Sequence, residues 1–517
     1  PTSDLASYLY RAREAAAAAI DELRWPLPPR LSSAGFRDLF PTLDPPRPLQ
    51  VAVEGCAAGI PADEPALVVI EAPTGEGKTE AAWLLADRWG IVGSARGVYV
   101  AMPTRATSDA LFSRVRTILE ARYAREDVSA VILQLLHGHA ALSAEFTLLR
   151  EMSRRSAPRE LWDDAANEEA TRAATVIAGD WFTYRKRGLL APFGVGTVDQ
   201  ALLAALRVPH NFVRLFGLAG RVVVFDEVHA YDAYMLALFE RLVEWLAALR
   251  ASVVILSATL PQQRLEALVT AFRRGLGQPG NESSPPRARY PRITIVTRAA
   301  RSSIPVEASA LAQRTLTLEA IPLAPDREGF AVLGERLSEA VAEGGCAAVI
   351  CNTVRQAQEC YRVFRDFITG TADDSAPVLD LLHARAPFVW RQEREFRALR
   401  RFGKPGGVVI RADGARESVR RPSCAVLVAT QIVEQSLDLD FDLLVTLPAP
   451  IDLLLQRAGR LHRHQRDRRP GPLAHPRLWC FGPPLDDEKL PIFDRGTLSV
   501  YDEHILLRTW ITLQVRD

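Results

Sequence analysis

A chain of 517 residues exceeds the roughly 100–200 residues of one ordinary domain, and its 48% hydrophobic content is enough for well-buried cores. With 63 Lys and Arg against 62 Asp and Glu, the formal charge is +1, so a nucleic-acid partner has to be met by a local groove and not by the surface as a whole. There is no run of about 18 apolar residues, no recognisable signal peptide, and no Cys-x-x-Cys among the six cysteines. Together these point to a cytoplasmic chain with neither a membrane span nor a disulfide framework.

In chain order, residues 4–24 place Leu5, Tyr8, Leu9, Ala12, Ala16, Ile20 and Leu23 on one helical face. The proline-rich stretch Trp25 to Pro48 reads as a surface linker. Gln50 follows it, and its amide can donate to and accept from an adenine edge at once. Leu67-Val68-Val69-Ile70 is a β-branched run of the kind that forms a buried parallel strand. It leads into Thr74, Gly75, Glu76, Gly77, Lys78 and Thr79, with a helix from Ala81 to Trp89 beyond. Strand, glycine-bearing loop and helix make a phosphate-binding loop, in which backbone N–H groups and the helix N-terminus face a triphosphate. Lys78 reaches the β- and γ-phosphates and the Thr79 hydroxyl holds Mg²⁺.

Residues 97–102 form the next strand, ending in Pro103, Thr104 and Arg105, a tip suited to a phosphate backbone. His137-Gly138-His139 lacks carboxylate neighbours and reads as structural. Residues 140–180 form a charged, mostly helical elaboration. In residues 181–187 aromatics alternate with basic side chains, which suits base stacking and an amphipathic helix equally. Residues 194–200 form a second candidate backbone-contact loop containing Gly196 and Thr197. The apolar run 221–225 delivers Asp226 and Glu227 to a strand tip: Asp226 to hold Mg²⁺ through water, Glu227 to position and deprotonate the attacking water, and His229 to couple this site to the rest. Val253 to Leu256 ends in the hydroxyls of Ser257 and Thr259, which can link the acid pair to a bound strand. Residues 277–291 are loop-like, and Ile293 to Val296 reads as the last strand of the first domain.

The pattern then restarts. A strand ends in Asn352 and Thr353, another in His383-Ala384-Arg385, and a third in Thr430 and Gln431. The arginine-rich helix 389–402 reads as a solvated face and residues 403–422 as loop. Asp438 lies in the turn before strand 443–445, and a helix then carries Gln456, Arg460 and Arg463. Two arginines three residues apart, supplied by a second domain, answer the charge of a triphosphate's γ end. The expected division is 1–45 (helix and linker), 46–298, 299–482, and 483–517 as a linker and the start of a truncated C-terminal domain.

The motifs from Gln50 to Arg463 resemble superfamily 2 helicases, in which Ala replaces the first glycine of the phosphate loop, as Ala72 does here. That implies an α/β fold of two tandem RecA-like domains, with parallel sheets flanked by helices and ATP in the interdomain cleft. The runs 185–200, 226–232 and 382–385 more specifically resemble the CRISPR-associated helicase–nuclease family of type I systems. This resemblance implies an ATP-dependent 3′ to 5′ single-stranded DNA translocase, recruited by the Cascade complex to the displaced strand of an R-loop in antiviral defence. It implies DNA-backbone contacts from Pro103, Thr104, Arg105, Gly196 and Thr197, and from Asn352, Thr353, His383, Arg385, Thr430 and Gln431. Asp438 would meet the ribose, while Lys78, Asp226, Glu227, Gln456, Arg460 and Arg463 would carry catalysis. The family joins its helicase to an HD nuclease whose His and Asp bind metal. No His precedes His137 and no His-Asp dyad occurs, so the nuclease is expected on a separate polypeptide or upstream of Pro1. The rival readings are a DExH-type RNA helicase, a nucleotide-gated binding module, and a self-sufficient nuclease, which the missing metal ligands disfavour.

Overall fold

Two series of buried apolar strands build two sheets, one in each of the units into which the computed structural model divides: Pro1–Glu71 with Gly77–Glu307, and Ala72–Glu76 with Ala308–Asp517. The structure describes all residues except 1–3, 23–30, 33, 42, 62, 90–94, 124–130, 138–139, 141–142, 144–145, 152–175, 178–181, 183–186, 232, 279–286, 310–312, 369–377, 412–414, 436 and 515–517.

The first sheet contains β1 (Leu67–Glu71), β2 (Val98–Met102), β3 (Val131–Leu136), β4 (Val176–Ile177), β5 (Phe193–Thr197), β6 (Val222–Phe225), β7 (Ser252–Ser257), β8 (Arg292–Val296) and β9 (Arg301–Pro305). Their order is β4-β3-β5-β2-β6-β7-β1-β8-β9. The first seven run parallel, and β8 and β9 close one edge antiparallel. Alternate residues of these strands serve two layers. Leu67, Val69, Tyr99, Val223, Phe225, Val253 and Ile255 pack in one core with helices Ala233–Ala248 and Gln262–Gly275. Val100, Val224 and Leu256 face helices Lys78–Asp87 and Arg105–Tyr123 across a small cavity that Trp83, Leu111 and Val115 also line.

The second sheet is wholly parallel, in the order β10-β17-β16-β11-β15-β12. Its strands are β10 (Thr317–Ile321), β11 (Gly345–Ile350), β12 (Val378–Leu382), β15 (Cys424–Ala429), β16 (Leu443–Thr446) and β17 (Arg477–Phe481). Strands β13 (Val408–Ile410) and β14 (Arg416–Ser418) form a separate antiparallel hairpin. Alternation again makes two cores: Ala347, Val349, Val426 and Val428 in one, Cys346, Ala348, Ile350 and Leu427 in the other.

Several expectations change. The predicted loop 194–200 is strand β5 followed by helix Val198–Leu202, and β5 lies in the middle of the sheet. Its two glycines hide it from a propensity reading but are required by packing: a Cβ on Gly196 would lie 2.3 Å from the Leu136 carbonyl oxygen. The last strand of the first sheet is β9, whose Arg-Ser-Ser-Ile-Pro sequence lacks an apolar run because it is an edge strand. The stretch read as loop from 403 to 422 contains the β13–β14 hairpin. The proline-rich linker contains helix Phe36–Leu39 and runs into helix Pro48–Ala57. Helix Leu5–Glu22 forms, yet Leu5, Tyr8 and Leu9 of its apolar face are exposed. Residues 483–514 group with the second unit. Most of the charged elaboration, most of the aromatic–basic run 181–187, and Gly138 and His139 lie outside the described residues. Among the described residues no helix is long and apolar enough to cross a membrane.

Candidate active site

Three adjacent strands, β1, β7 and β6, bring their C-terminal tips side by side, where ligands gather in open parallel sheets. From the tip of β1 the chain turns through Gly75 (φ 94°) and Gly77 (φ 79°), a left-handed backbone that glycine adopts without strain, into helix Lys78–Asp87. Gln50 lies against this turn. It sits in the first turn of helix Pro48–Ala57, where Pro48 suits the helix start. Its Oε1 accepts the Arg47 N–H at 2.8 Å, and its amide nitrogen lies where a Cβ on Gly77 would be, 2.1 Å away. Only glycine at 77 allows Gln50 to sit so close. Lys78 is buried. Glu76 is buried too, and accepts hydrogen bonds from the Ser309 hydroxyl and from the Ser309 N–H at 3.4 Å.

Beneath the loop lies a group that the sequence did not reveal. Glu71, the last residue of β1, is fully buried and takes both nitrogens of a bidentate Arg292, at 2.8 and 2.7 Å, together with Arg287 at 2.7 Å. The antiparallel register sets Arg292 directly opposite Glu71. The two guanidinium groups balance the charge of this buried carboxylate within the protein itself.

At the tip of β6, Asp226 is buried and donates its backbone N–H to Ala101 at 3.0 Å. Burial first, and then the charge of Glu227, push its carboxyl up to about 7, while Lys78 and the Glu227 N–H pull the other way. The Glu227 N–H donates to Asp226 Oδ1 at 2.9 Å, and Glu227 holds φ 55°, a left-handed conformation that is costly for a side-chain residue and recurs at functional sites. A buried carboxyl whose charged form is disfavoured by burial and by Glu227, lining the same cavity as Thr79, offers with that hydroxyl oxygen donors of the kind that fit Mg²⁺.

His229 ties this acid pair to β7. Its Nδ1 accepts the Ala258 N–H at 3.2 Å and lies 3.3 Å from Ser257 Oγ. The backbone donor leaves the proton on Nε2, which lies 3.0 Å from Glu227 Oε2, at hydrogen-bond distance though not in its alignment. Ser257 Oγ donates to the Thr259 carbonyl at 2.7 Å.

In the second unit the strand tips hold most of the remaining predicted residues. Asn352, after β11, is buried and donates its amide to the Pro448 carbonyl at 2.7 Å and to Thr497 Oγ1 at 3.0 Å, so its side chain secures the loop. The Thr353 N–H and hydroxyl donate to Gln356 Oε1. Gln431, after β15, donates to the Asn352 carbonyl at 2.8 Å, and Thr430 is buried beside it. After β12, His383 is buried and held below the usual imidazole range by burial and Arg394, and Arg385 is exposed. In the first unit Pro103 and Thr104 are half-buried, and the Arg105 side chain lies outside the described residues. Gly196 and Thr197 are both buried, Thr197 at the tip of β5.

Helix Ile451–Ala458 and the turn after it carry Gln456, Arg460 and Arg463. Arg460 is buried and donates to the carbonyls of Leu437, at 2.6 Å, and Glu434. Arg463 pairs with Asp438, the predicted ribose contact, whose carboxyl this holds below its ordinary range against the effect of burial. Neither atom of the buried Gln456 amide has a hydrogen-bond partner among the described residues. Arg457, which the sequence did not single out, is wholly buried. It bonds Glu434 Oε1 and Thr446 Oγ1 at 2.7 and 2.6 Å and the Leu447 carbonyl at 3.1 Å.

Residues 343–466 match a family model described as CRISPR-associated nuclease/helicase Cas3, C-terminal. The chain is 40% identical over 546 aligned residues to a CRISPR-associated endonuclease/helicase Cas3 of Thermus thermophilus, an alignment that takes in 99% of this chain and 54% of the relative. A crystal structure of T. fusca Cas3 with ATP superposes with a TM-score of 0.78 at 38% identity, over 95% of this chain and 52% of that one. A chain of a CRISPR RNA-guided surveillance complex in a pre-nicking state superposes with a TM-score of 0.67 at 35% identity, over 91% of this chain and 48% of that one. The chain thus spans about half the length of the curated relatives it matches.

Proposed function

From a chain that belongs to the Cas3 helicase–nuclease family and corresponds to its helicase portion, we propose an ATP-driven translocase that moves 3′ to 5′ along single-stranded DNA. Its substrate is the displaced strand of an R-loop, to which Cascade recruits it. The similarity to a chain of a surveillance complex supports that partner. Metal-dependent cleavage of the strand is assigned to an HD nuclease domain or subunit outside residues 1–517, and the whole acts in the cytoplasm.

The observation that carries the reading is the chain of contacts from Glu227 through His229 to Ser257 and Ala258. A binding module needs phosphate donors but no carboxylate poised for water. Here the carboxylate is present and is mechanically tied to a neighbouring strand tip. Gln50 reads adenine through the amide nitrogen that its contact with the Arg47 N–H leaves free. Lys78 and the N–H groups of the loop bind the β- and γ-phosphates. Thr79 and Asp226 would hold Mg²⁺, which supplies charge to the phosphate oxygens when bound. Glu227 orients the attacking water and takes its proton. Arg460 and Arg463 meet the charge that develops at the γ-phosphate, which requires Arg463 to exchange Asp438 for phosphate. Asp438 is then released towards the ribose. Pro103, Thr104, Arg105 and Thr197 on one unit, and Thr353, His383, Arg385, Thr430 and Gln431 on the other, hold the strand. Gly196 and Asn352 support those contacts from within.

Steady-state ATPase with and without single-stranded DNA, beside single-stranded RNA, tests the proposal. Stimulation by DNA, lost in Glu227→Gln, is the expected result. Stimulation by RNA alone overturns the DNA assignment, and turnover undiminished in Glu227→Gln overturns the mechanism.

A further inference from the structure

The segment Asp494–Tyr501, beyond the last strand and every motif considered above, is bonded to the loops of three motifs at once. Asp494 caps helix Arg495–Leu498 by accepting the Thr497 N–H at 3.1 Å, and it takes the amide of Gln356 at 2.9 Å. Gln356 in turn accepts from Thr353. The Thr497 side chain, fully buried, accepts from Asn352 at 3.0 Å and donates to Asp494. Tyr501 then reaches two further loops with one atom: its hydroxyl oxygen accepts from Gln431 Nε2 at 3.3 Å and from Arg457 Nη2 at 3.2 Å.

These partners lie at the tips of β11 and β15 and on helix Ile451–Ala458. Gln431 is on the proposed strand-contact loop. Arg457 is the wholly buried guanidinium that holds Glu434 and Thr446, and its helix carries Gln456 and leads to Arg460. The Glu434 carbonyl is also a partner of Arg460. A displacement of Gln431 by a bound strand therefore has a short polar path to the arginines: Gln431, the Tyr501 hydroxyl, Arg457, Glu434, Arg460. Every link is a hydrogen bond or ion pair, and much of the path is buried, where such bonds are strong and a lost partner is costly.

We propose that Tyr501 is a positioning residue that couples strand contact at Gln431 to the arginine-bearing helix, so that nucleic acid accelerates ATP hydrolysis through it. The inference rests on the strand-contact reading of the Thr430–Gln431 loop. Phenylalanine at 501 keeps the ring and removes the one oxygen that both loops share.

The test compares wild type with Tyr501→Phe in full-chain ATPase assays, with and without single-stranded DNA, together with a thermal melt. The expected result is a loss of about tenfold in DNA-stimulated kcat, the scale of one hydrogen bond to a charged group. Basal kcat and KM for ATP stay at wild-type values, and the melting temperature falls by only a few degrees, about what the loss of this one acceptor costs. Thr497→Val, which removes the hydroxyl's bonds to Asn352 and Asp494 and keeps both the Tyr501 hydroxyl and the carbonyl that accepts the Tyr501 N–H, serves as the second variant and is expected to lower stimulation in the same way. Stimulation of Tyr501→Phe equal to wild type overturns the coupling, as does an equal fall in basal and stimulated rates, which marks a merely structural role. A wild type that no strand stimulates overturns the strand-contact reading and the coupling with it, and that outcome is told apart by the wild-type arm alone.

Discussion

Asp226 makes the metal-free protein sensitive to pH in a direction opposite to most carboxylates. Its carboxyl is raised from 3.8 to about 7 in the folded chain, by burial and by Glu227. Between those values the folded state holds a proton that the unfolded state has released. The stabilisation from this group is complete below about pH 4 and is lost as pH rises through about 7. From pH 5 to pH 8 the loss integrates to about 3 kcal/mol at about 1.4 kcal/mol per pH unit. The first unit contains about 300 residues, which at about 2.1 cal/mol/K per residue converts that loss to about 5 °C in melting temperature. Asp226→Asn removes the titration and keeps the shape. Melting of both proteins in a chelating buffer should therefore show wild type losing about 5 °C against Asp226→Asn between pH 5 and pH 8. An offset that is the same at both pH values, or one that moves in favour of wild type at pH 8, refutes the reasoning. Added Mg²⁺ should rescue wild type at pH 8 and leave the variant little changed, because the cation replaces the missing positive charge.

Glu227→Gln should lower kcat by about 10²–10⁴ with ATP binding retained, read by turnover beside nucleotide titration. His229→Ala removes the link to Ala258 and Ser257 and should cost about tenfold in stimulated turnover at unchanged KM for ATP. Arg292→Leu leaves Glu71 with Arg287 alone. It should destabilise the first unit by about 3 kcal/mol, the lower end for a broken buried pair, seen as a fall of about 5 °C on melting. Gly196→Ala drives a Cβ to 2.3 Å from a backbone oxygen and 2.7 Å from Tyr99 Oη, and should cost about 1–3 kcal/mol whether or not nucleic acid is present.

What could be read in advance follows from what each element needs. β1, β6, β7, β11, β15 and β16 lie inside parallel sheets, are buried on both faces, and so appear as unbroken runs such as Val222–Phe225. β5 is just as central but contains two glycines, because Leu136 and Tyr99 leave no room for side chains there, and glycine reads as a loop. The edge strand β9 and the hairpin strand β14 are polar and carry no apolar run to find, and β13, though all apolar, is only three residues long in a stretch rich in Gly, Arg and Pro. The strand, glycine turn and helix from β1 to Asp87, and the acid pair at the tip of β6, could be placed from the sequence because each is a run of consecutive residues. The Glu71–Arg292 pair was not, since its partners are 221 residues apart and only the strand pairing brings them together.

That pairing also explains why the site can stand where it does. The register on either side of β1 sets Glu71 between Ser257 of β7 and Arg292 of β8. One neighbour belongs to the His229–Glu227 contacts and the other removes the negative charge of Glu71. Without Arg292, the last residue of β1 would be a buried carboxylate with only Arg287 to oppose it among the described residues. The strand that leads into the glycine-bearing loop thus ends on a carboxylate held by an arginine from an antiparallel strand, 221 residues along the chain. Removing it should weaken nucleotide affinity as well as stability, and a nucleotide titration of Arg292→Leu well below its melting temperature separates the two effects.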